Sequence, residues 1–300
     1  MTEIVVIANR NAGGGRATAA LPLLLKRLRE AGHGIRVVDE PDLALAKRAL
    51  GSLSGAQAVI ACGGDGTVHL ALQYALAQQL PLGIVPAGSG DDIARAFGLP
   101  HGRRARDVRR AIDHCVANIG NTDLVDVIWA RTADGNREAF AGVLGAGFDS
   151  IVNARANTLT FPPGTAKYVR AMLAELGKFK PIPYRLQFEH ESLEVSGMLI
   201  AVGNGSTYGG GMRVCPGADV RDGVAEILIV SELPKLRFLR LFPKVFSGAH
   251  VRHPATRILS ASAFTLEAPG QTAWADGEYI GTMPVRLEVQ PLALAVIGAA

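Results

Sequence analysis

Over the first 130 residues, short β-branched runs alternate with helix-forming stretches, and this alternation restricts the fold more than any other feature of the chain. Strands are predicted at Ile4 to Ala8, Ile35 to Asp39, Ala58 to Ala61 and Leu82 to Pro86. Helices are predicted at Thr18 to Ala31, Leu43 to Leu50, Val68 to Gln79 and Asp91 to Phe97. That order builds βαβ units on a mostly parallel sheet. The strands are nearly continuous apolar runs, as strands covered on both faces are. Residues 1–130 are therefore predicted to form an α/β domain.

From about Glu138 the texture changes to glycine-punctuated strands at Phe140 to Leu144, Arg185 to Phe188, Met198 to Gly203, Val224 to Val230, Ala263 to Glu267 and Val285 to Val289. Repeated strands with turn signals between them predict a mostly antiparallel, β-rich domain over residues 131–290. A helix at Ala166 to Leu176 and a basic, apolar stretch at Lys235 to Phe246 interrupt it. Residues 291–300 form a C-terminal segment that can return to the first domain.

Three strands of the first domain end in glycine-rich turns: Asn9 to Arg16, with Gly13, Gly14 and Gly15; Gly63-Gly64-Asp65-Gly66-Thr67; and Gly88-Ser89-Gly90-Asp91-Asp92. In an open parallel sheet, ligands bind beyond the carboxyl ends of the strands. Glycines let backbone N–H groups approach phosphate oxygens, and the helix that follows each turn adds its positive N-terminal end. Each turn alone can be merely structural, because glycine also permits a sharp change of direction. Together they point to a polyphosphate and a Rossmann-like nucleotide domain. Neither G-x-x-x-x-G-K-[ST] nor G-x-G-x-x-G occurs in these turns, which argues against Walker-type and nicotinamide-dependent enzymes.

A net charge of +4 suits anionic partners without choosing among them, and no nucleic-acid-binding signature supports DNA or RNA as the partner. No apolar run approaches the roughly 20 residues that span a bilayer. The N-terminus lacks a positive n-region, so the chain is expected in the cytoplasm. Cys62, Cys115 and Cys215 have no metal-ligand spacing and are expected to be buried thiols.

The Gly63-Gly64-Asp65-Gly66-Thr67 motif resembles the superfamily of diacylglycerol, sphingosine and NAD kinases and phosphofructokinases. Pro86 to Arg95, Gly203-Asn204-Gly205 followed by Gly209 to Met212, Pro216-Gly217-Ala218 followed by Asp222-Gly223, and Asp276-Gly277-Glu278 narrow the resemblance. Together they are similar to the bacterial diacylglycerol kinases and related lipid kinases. The resemblance implies a nucleotide domain, a β-rich domain and an active site in the cleft between them. It further implies ATP and Mg²⁺, a lipid substrate met at the inner membrane surface by peripheral contact, and phosphatidic acid as product. A homodimer stays open.

Residue by residue, the resemblance implies that Asp65 helps to place the magnesium-bound phosphates, while Asp92 and Asp123 support the acids and waters around the metal. It implies that Asp276 is the general base, with Glu278 beside it, and that Asp222 and backbone carbonyls around Asp219 and Val224 hold a structural magnesium. The family's Asn-Pro is Asn9-Arg10 here, its basic residue after the first glycine is Gly14, and its Asn-Glu after the second turn is His69-Leu70. Asp91 replaces an asparagine, and Arg16 can restore the charge absent at Gly14. Other acceptors, such as a sphingosine-like lipid, phosphatidylglycerol or NAD, and a weakly catalytic regulator are the alternatives. Local sequence reads Asp126 as a surface or capping acid, His69 as a core histidine, Arg103 to Arg110 as a solvated helix face, and Lys235 to Phe246 as a packed helix rather than a membrane-lying one.

Overall fold

β1 (Glu3–Ala8) is an interior strand of the first sheet: from Ile4 on its side chains are apolar on both faces, and Ile4, Val5 and Val6 expose none of their surface. In this computed structural model, which describes residues 3–10, 12–40, 42–159 and 165–299, the chain divides into two units. The first comprises Met1–Val125 and Leu292–Ala300; the second is Asp126–Pro291.

In the first unit, β2 (Gly34–Val38) and β3 (Ala58–Gly63) flank β1, and β4 (Leu82–Pro86) lies outside β3, all parallel. The helices are α1 (Arg16–Glu30), α2 (Leu43–Gly51), α3 (Asp65–Gln78), α4 (Asp92–Ala96) and α5 (Ala105–Ala117). α1 buries Ala17, Ala20, Leu21, Leu24 and Leu28 at helical spacing. Leu24 and Leu28 join Val108, Ile112 and Cys115 of α5 in a core laid against Ile4, Val6 and Ile60. All three cysteines are buried thiols, and burial pushes Cys62 and Cys115 up to about 12.

The second unit holds β5 (Thr122–Thr132), which begins just before it, β6 (Arg137–Phe140), β7 (Val143–Gly147), α6 (Phe148–Thr158), α7 (Thr165–Leu176), β8 (Ile182–Gln187), β9 (Ser192–Gly203) and β10 (Ala225–Ser231). It continues with α8 (Lys235–Leu241), β11 (Thr256–Ala261), β12 (Ala263–Glu267), β13 (Thr272–Ala275), β14 (Glu278–Thr282) and β15 (Val285–Ile297), whose residues from Leu292 on belong to the first unit. The strand order is β14-β13-β7-β9-β8-β12-β15, and β10 also pairs with β9 and carries β11. These neighbours are antiparallel. The α/β and β-rich textures of the sequence thus appear as predicted.

Three details differ from the sequence reading. The expected strand Phe140 to Leu144 is two strands, β6 and β7, separated at Ala141-Gly142. β5 was not foreseen, because its buried stretch encloses an acid, Asp126. β15 continues past Val289 to Ile297, where Val296 pairs in parallel with Leu82. Pro291 looks like a strand terminus, but a proline is tolerated at an irregularity, and Leu292 bends there with φ 49°.

Gly147 ends β7 at φ 96°, and a Cβ there would lie 1.7 Å from the Tyr184 hydroxyl and 3.1 Å from the Met198 carbonyl. Gly147→Ala combines left-handed strain with overpacking and should destabilise the protein by at least about 2 kcal/mol. Chemical denaturation measures this, and an unchanged midpoint would contradict the packing described.

Candidate active site

Because β1, β3 and β4 are parallel neighbours, their carboxyl ends share one edge, and the three glycine turns meet there. The Ala87 amide donates to the Gly63 carbonyl at 2.7 Å. A Cβ on Gly88 would stand 2.4 Å from the Gly64 Cα, and one on Gly13 would stand 2.1 Å from the Ala87 carbonyl oxygen. The turns are therefore in backbone-to-backbone contact, which explains why glycine occupies these positions. Asn9 and Ser89 are exposed beside them, while Gly88 and Thr67 are buried. Asn11 lies outside the described residues.

Arg16 binds these turns together. Its Nε donates to the Gly13 carbonyl at 3.1 Å and its Nη2 to the Gly88 carbonyl, while the buried Nη1 has no protein partner among the described residues. One N–H group and the positive charge are thus retained at the turn, where a phosphate can use them. Arg103 donates to the Ser89 carbonyl at 2.8 Å. Arg104, Arg106, Arg109 and Arg110 are exposed, as a solvated helix face is. Arg10 pairs with Asp39 just past β2, so the departure from Asn-Pro is absorbed by an ion pair that the sequence did not announce. His69 is buried, 3.4 Å from Gln73.

The acids of this edge occupy helix N-termini. Asp65 opens α3 and accepts from the Ile93 amide at 3.2 Å, which joins the second turn to the third. Asp92 opens α4, is buried, and lies 3.8 Å from the Arg95 Nε. Asp91, at φ 56°, accepts from the Gly88 amide at 2.8 Å. Burial pushes the Asp91 carboxyl above its ordinary value, against the Gly88 amide and the Arg16 charge, which favour the ionised form.

In the second unit, Asp276 and Gly277 form the two-residue turn between β13 and β14, with φ 54° and 88°. Positive φ at both central residues is what a type I′ hairpin requires. The Asp276 carboxylate is also held from outside the hairpin: Oδ1 accepts from the Gly142 amide at 2.9 Å and Oδ2 from the Ala141 amide at 3.2 Å. The break between β6 and β7 supplies these amides. Asn204, fully buried, fixes the same turn: its side-chain amide donates to the carbonyls of Ala141 at 3.1 Å and Asp126 at 2.9 Å, and its backbone amide to Gly142 at 2.9 Å. Glu278 follows at the start of β14, half-buried.

Asp126 corrects the surface reading, since it exposes 0% of its surface. Its backbone amide donates to the Val220 carbonyl at 2.7 Å and its Oδ2 accepts from the Gly223 amide at 2.8 Å, so it pins the Asp222-Gly223 turn. Asp123, by contrast, is exposed at the start of β5. Asp219 and Asp222 are exposed, and each accepts one amide of its own turn, from Arg221 at 3.1 Å and Val224 at 3.0 Å. The structure gathers Asp65, Asp91 and Asp92 with the glycine turns in the first unit, and Asp276, Asn204 and Asp126 in one hydrogen-bonded network in the second. Asp126 and Asn204 were the residues the sequence reading passed over. An acid set among Val125, Val127 and Ile128, and an amide between two glycines at a strand end, were their signals.

A parallel-sheet unit with three glycine turns at one edge, followed in the chain by a β-rich unit with an amide-held carboxylate, places the protein among two-unit α/β proteins. Residues 3–127 match the diacylglycerol kinase catalytic domain, and residues 142–298 match the YegS C-terminal NAD kinase beta sandwich-like domain. The chain is 35% identical over 298 residues to a diacylglycerol kinase of Mycobacterium tuberculosis, covering 98% of this chain and 94% of that one. It is 28% identical over 253 residues to the "Probable lipid kinase YegS-like" of Stenotrophomonas maltophilia, covering 78% and 79%. Its fold matches the crystal structure of a diacylglycerol kinase from Bacillus anthracis with a TM-score of 0.70 at 18% identity, over 99% and 96% of the two chains. The chain belongs to the diacylglycerol kinase family, and it is a lipid kinase.

Asp91 yields a prediction that needs no assay of turnover. An acid whose folded pKa lies above its unfolded value binds its proton more tightly when folded, so stability falls as pH rises through that interval. Asp91→Asn keeps an acceptor for the Gly88 amide and removes the charge. It should melt above wild type at about pH 7, and the gap should narrow as pH falls toward the ordinary carboxylate value of 3.8. A gap independent of pH in thermal melts would contradict this account.

Proposed function

We propose that the protein transfers the γ-phosphoryl group of ATP to the free hydroxyl of diacylglycerol, forming phosphatidic acid at a membrane surface it touches without crossing. The observation that carries this reading is the Asp276 carboxylate, held by two backbone amides in a left-handed turn. Phosphoryl transfer asks for positioned phosphates, neutralised charge and a hydroxyl aimed in line. The three turns, the α3 and α4 N-termini and the Arg16 charge offer the first two. Asp276 offers the acceptor for the hydroxyl proton as the bond to phosphorus forms.

Among the described residues, no group of three or more His, Cys, Asp or Glu is placed to hold a metal. A magnesium ion that keeps several waters and rests on phosphate oxygens needs no such cluster. Asp65 and Asp92 would be the residues to hold such an ion through water, with Asp123 as a more distant member implied by the family. When bound, the ion neutralises charge on the transferring phosphoryl group. A second ion, which the family implies at the loop from Asp219 to Val224, would find there two exposed carboxylates, each with one oxygen uncommitted to the amides named above.

The name and 35% identity of the M. tuberculosis relative favour diacylglycerol over sphingosine-like lipids, phosphatidylglycerol and NAD. The absence of any helix, among the described residues, long and apolar enough to cross a membrane suits peripheral contact. In mixed micelles with labelled ATP and magnesium, label should enter diacylglycerol more efficiently than sphingosine, phosphatidylglycerol or NAD. Robust labelling of NAD with none of lipid would reject the reading. Asp65→Ala should lower kcat/KM for ATP by about a hundredfold or more while the fold persists. Near-normal kinetics with limiting ATP would remove Asp65 from the site.

A further inference from the structure

In the first unit, α1 and the segment leading into α5 both meet the third glycine turn, where Arg16 donates to the Gly88 carbonyl and Arg103 to the Ser89 carbonyl. Farther along, the two helices pack through Leu24, Leu28, Val108 and Ile112, and Arg27 of α1 meets Asp113 of α5 at 3.2 Å. Nearer the turn the facing residues include Ala19, Ala20 and Ala105, whose side chains are too small to close the gap between the helices. A groove of about 480 Å³ is left there. That is within the span of about 300–1,000 Å³ typical of small-molecule sites.

The lining of this groove has two parts. Its floor is apolar, formed by the three alanines with Leu23 and Val108, and its walls carry Arg16, Arg27, Arg103 and Arg109 against one acid, Asp113. Asp113 is committed to Arg27, which Glu30 also approaches at 3.4 Å. Three guanidinium groups are left to the rest of the groove. Arg16 and Arg103 are tethered by carbonyls of the turns, so their charges are in place before any ligand arrives, and a guanidinium has five N–H donors to share. Arg109 stands one helical turn beyond Ala105, exposed, and pairs with no acid among the described residues. The solvated-face reading therefore holds for Arg104, Arg106 and Arg110, while Arg109 borders the groove. Like charges gathered in this way repel one another, and an anion between them relieves the repulsion. A phosphate monoester brings up to two charges and three strong acceptor oxygens, which arginines bind in paired hydrogen bonds. A carboxylate brings one charge and two oxygens.

We propose that the groove between α1 and α5 is a second anion site, separate from the edge formed by the glycine turns, and that it takes a phosphate monoester whose apolar body lies on the alanine floor. The ligand class follows from the arginines and the floor, and it does not depend on which acceptor the kinase uses. A lipid phosphate such as phosphatidic acid and a soluble one such as a nucleoside monophosphate share this chemistry.

The probe is 1-naphthyl phosphate, titrated calorimetrically into the full chain. Wild type should bind it at least about tenfold more tightly than inorganic phosphate, because the rings add apolar contact, and uncharged 1-naphthol should not compete. Arg109→Glu reverses a charge at an exposed position, and Ala19→Trp fills the floor from another. Each should weaken the probe about tenfold or more while thermal unfolding stays cooperative. A saturating non-hydrolysable ATP analogue with magnesium should leave the probe bound. With that analogue present, monomeric dihexanoyl phosphatidic acid and AMP are then compared as competitors, and the one that displaces the probe at the lower concentration identifies the source.

No probe binding by wild type, equal binding of 1-naphthol, or displacement of the probe by neither phosphate monoester overturns the proposal. Loss of the probe to the ATP analogue, or undiminished binding by either folded variant, also overturns it, because the anion then sits at the glycine turns. Should Ala19→Trp fail to fold, Arg109→Glu decides alone.

Discussion

The fully buried side chain of Asn204 is the point on which the hydrogen-bonded network of the second unit depends. Its amide nitrogen serves the carbonyls of Asp126 and Ala141, and its own backbone and that of Gly205 serve the Gly142 carbonyl at 2.9 and 3.0 Å. With its carbonyls so fixed, the Ala141-Gly142 turn presents both amides to the Asp276 carboxylate. Each such bond contributes about 1 kcal/mol net, but a buried partner left unmade costs about 1–3 kcal/mol. The network therefore holds as a whole, and it fixes the direction of the carboxylate of Asp276, whose left-handed conformation is one that aspartate adopts more readily than most residues.

The first unit reaches its rigidity by another route, direct contact between backbones. Gly88 approaches Gly64 too closely to carry a side chain, and Arg16 and Asp65 then tie the turns across the gap. One unit thus positions a carboxylate by hydrogen bonds, and the other bares backbone amides along one edge by removing side chains. The two devices suit the tasks proposed for them: a phosphate needs bare amides, while a proton acceptor needs a fixed direction.

The glycine turns were legible in the sequence because their requirement is local: strand, sharp turn, helix, with no Cβ to obstruct the amides. The Asp276-Gly277 pair was legible as a family motif, and the structure makes it the two-residue turn of a hairpin. Asp126 was not. Its burial depends on β5 entering the interior at Val125, a tertiary event that three residues of spacing from exposed Asp123 cannot reveal. Asn204 was quoted within a motif but given no work, because its partners lie 63 and 78 residues away. The break between β6 and β7 was hidden because Phe140 to Leu144 is apolar enough to read as one strand.

The proposed phosphoryl transfer requires Asp276 as the proton acceptor. Asn has the same shape, tolerates the same left-handed turn and can accept one of the two amide bonds, but it takes no proton at neutral pH. The measurement is kcat for Asp276→Asn beside wild type, with nucleotide binding and thermal unfolding as controls. A loss of about 10² to 10⁴ in kcat, with nucleotide affinity and fold retained, is the predicted result. A folded variant that keeps more than about a tenth of wild-type kcat would show that the proton leaves by another path.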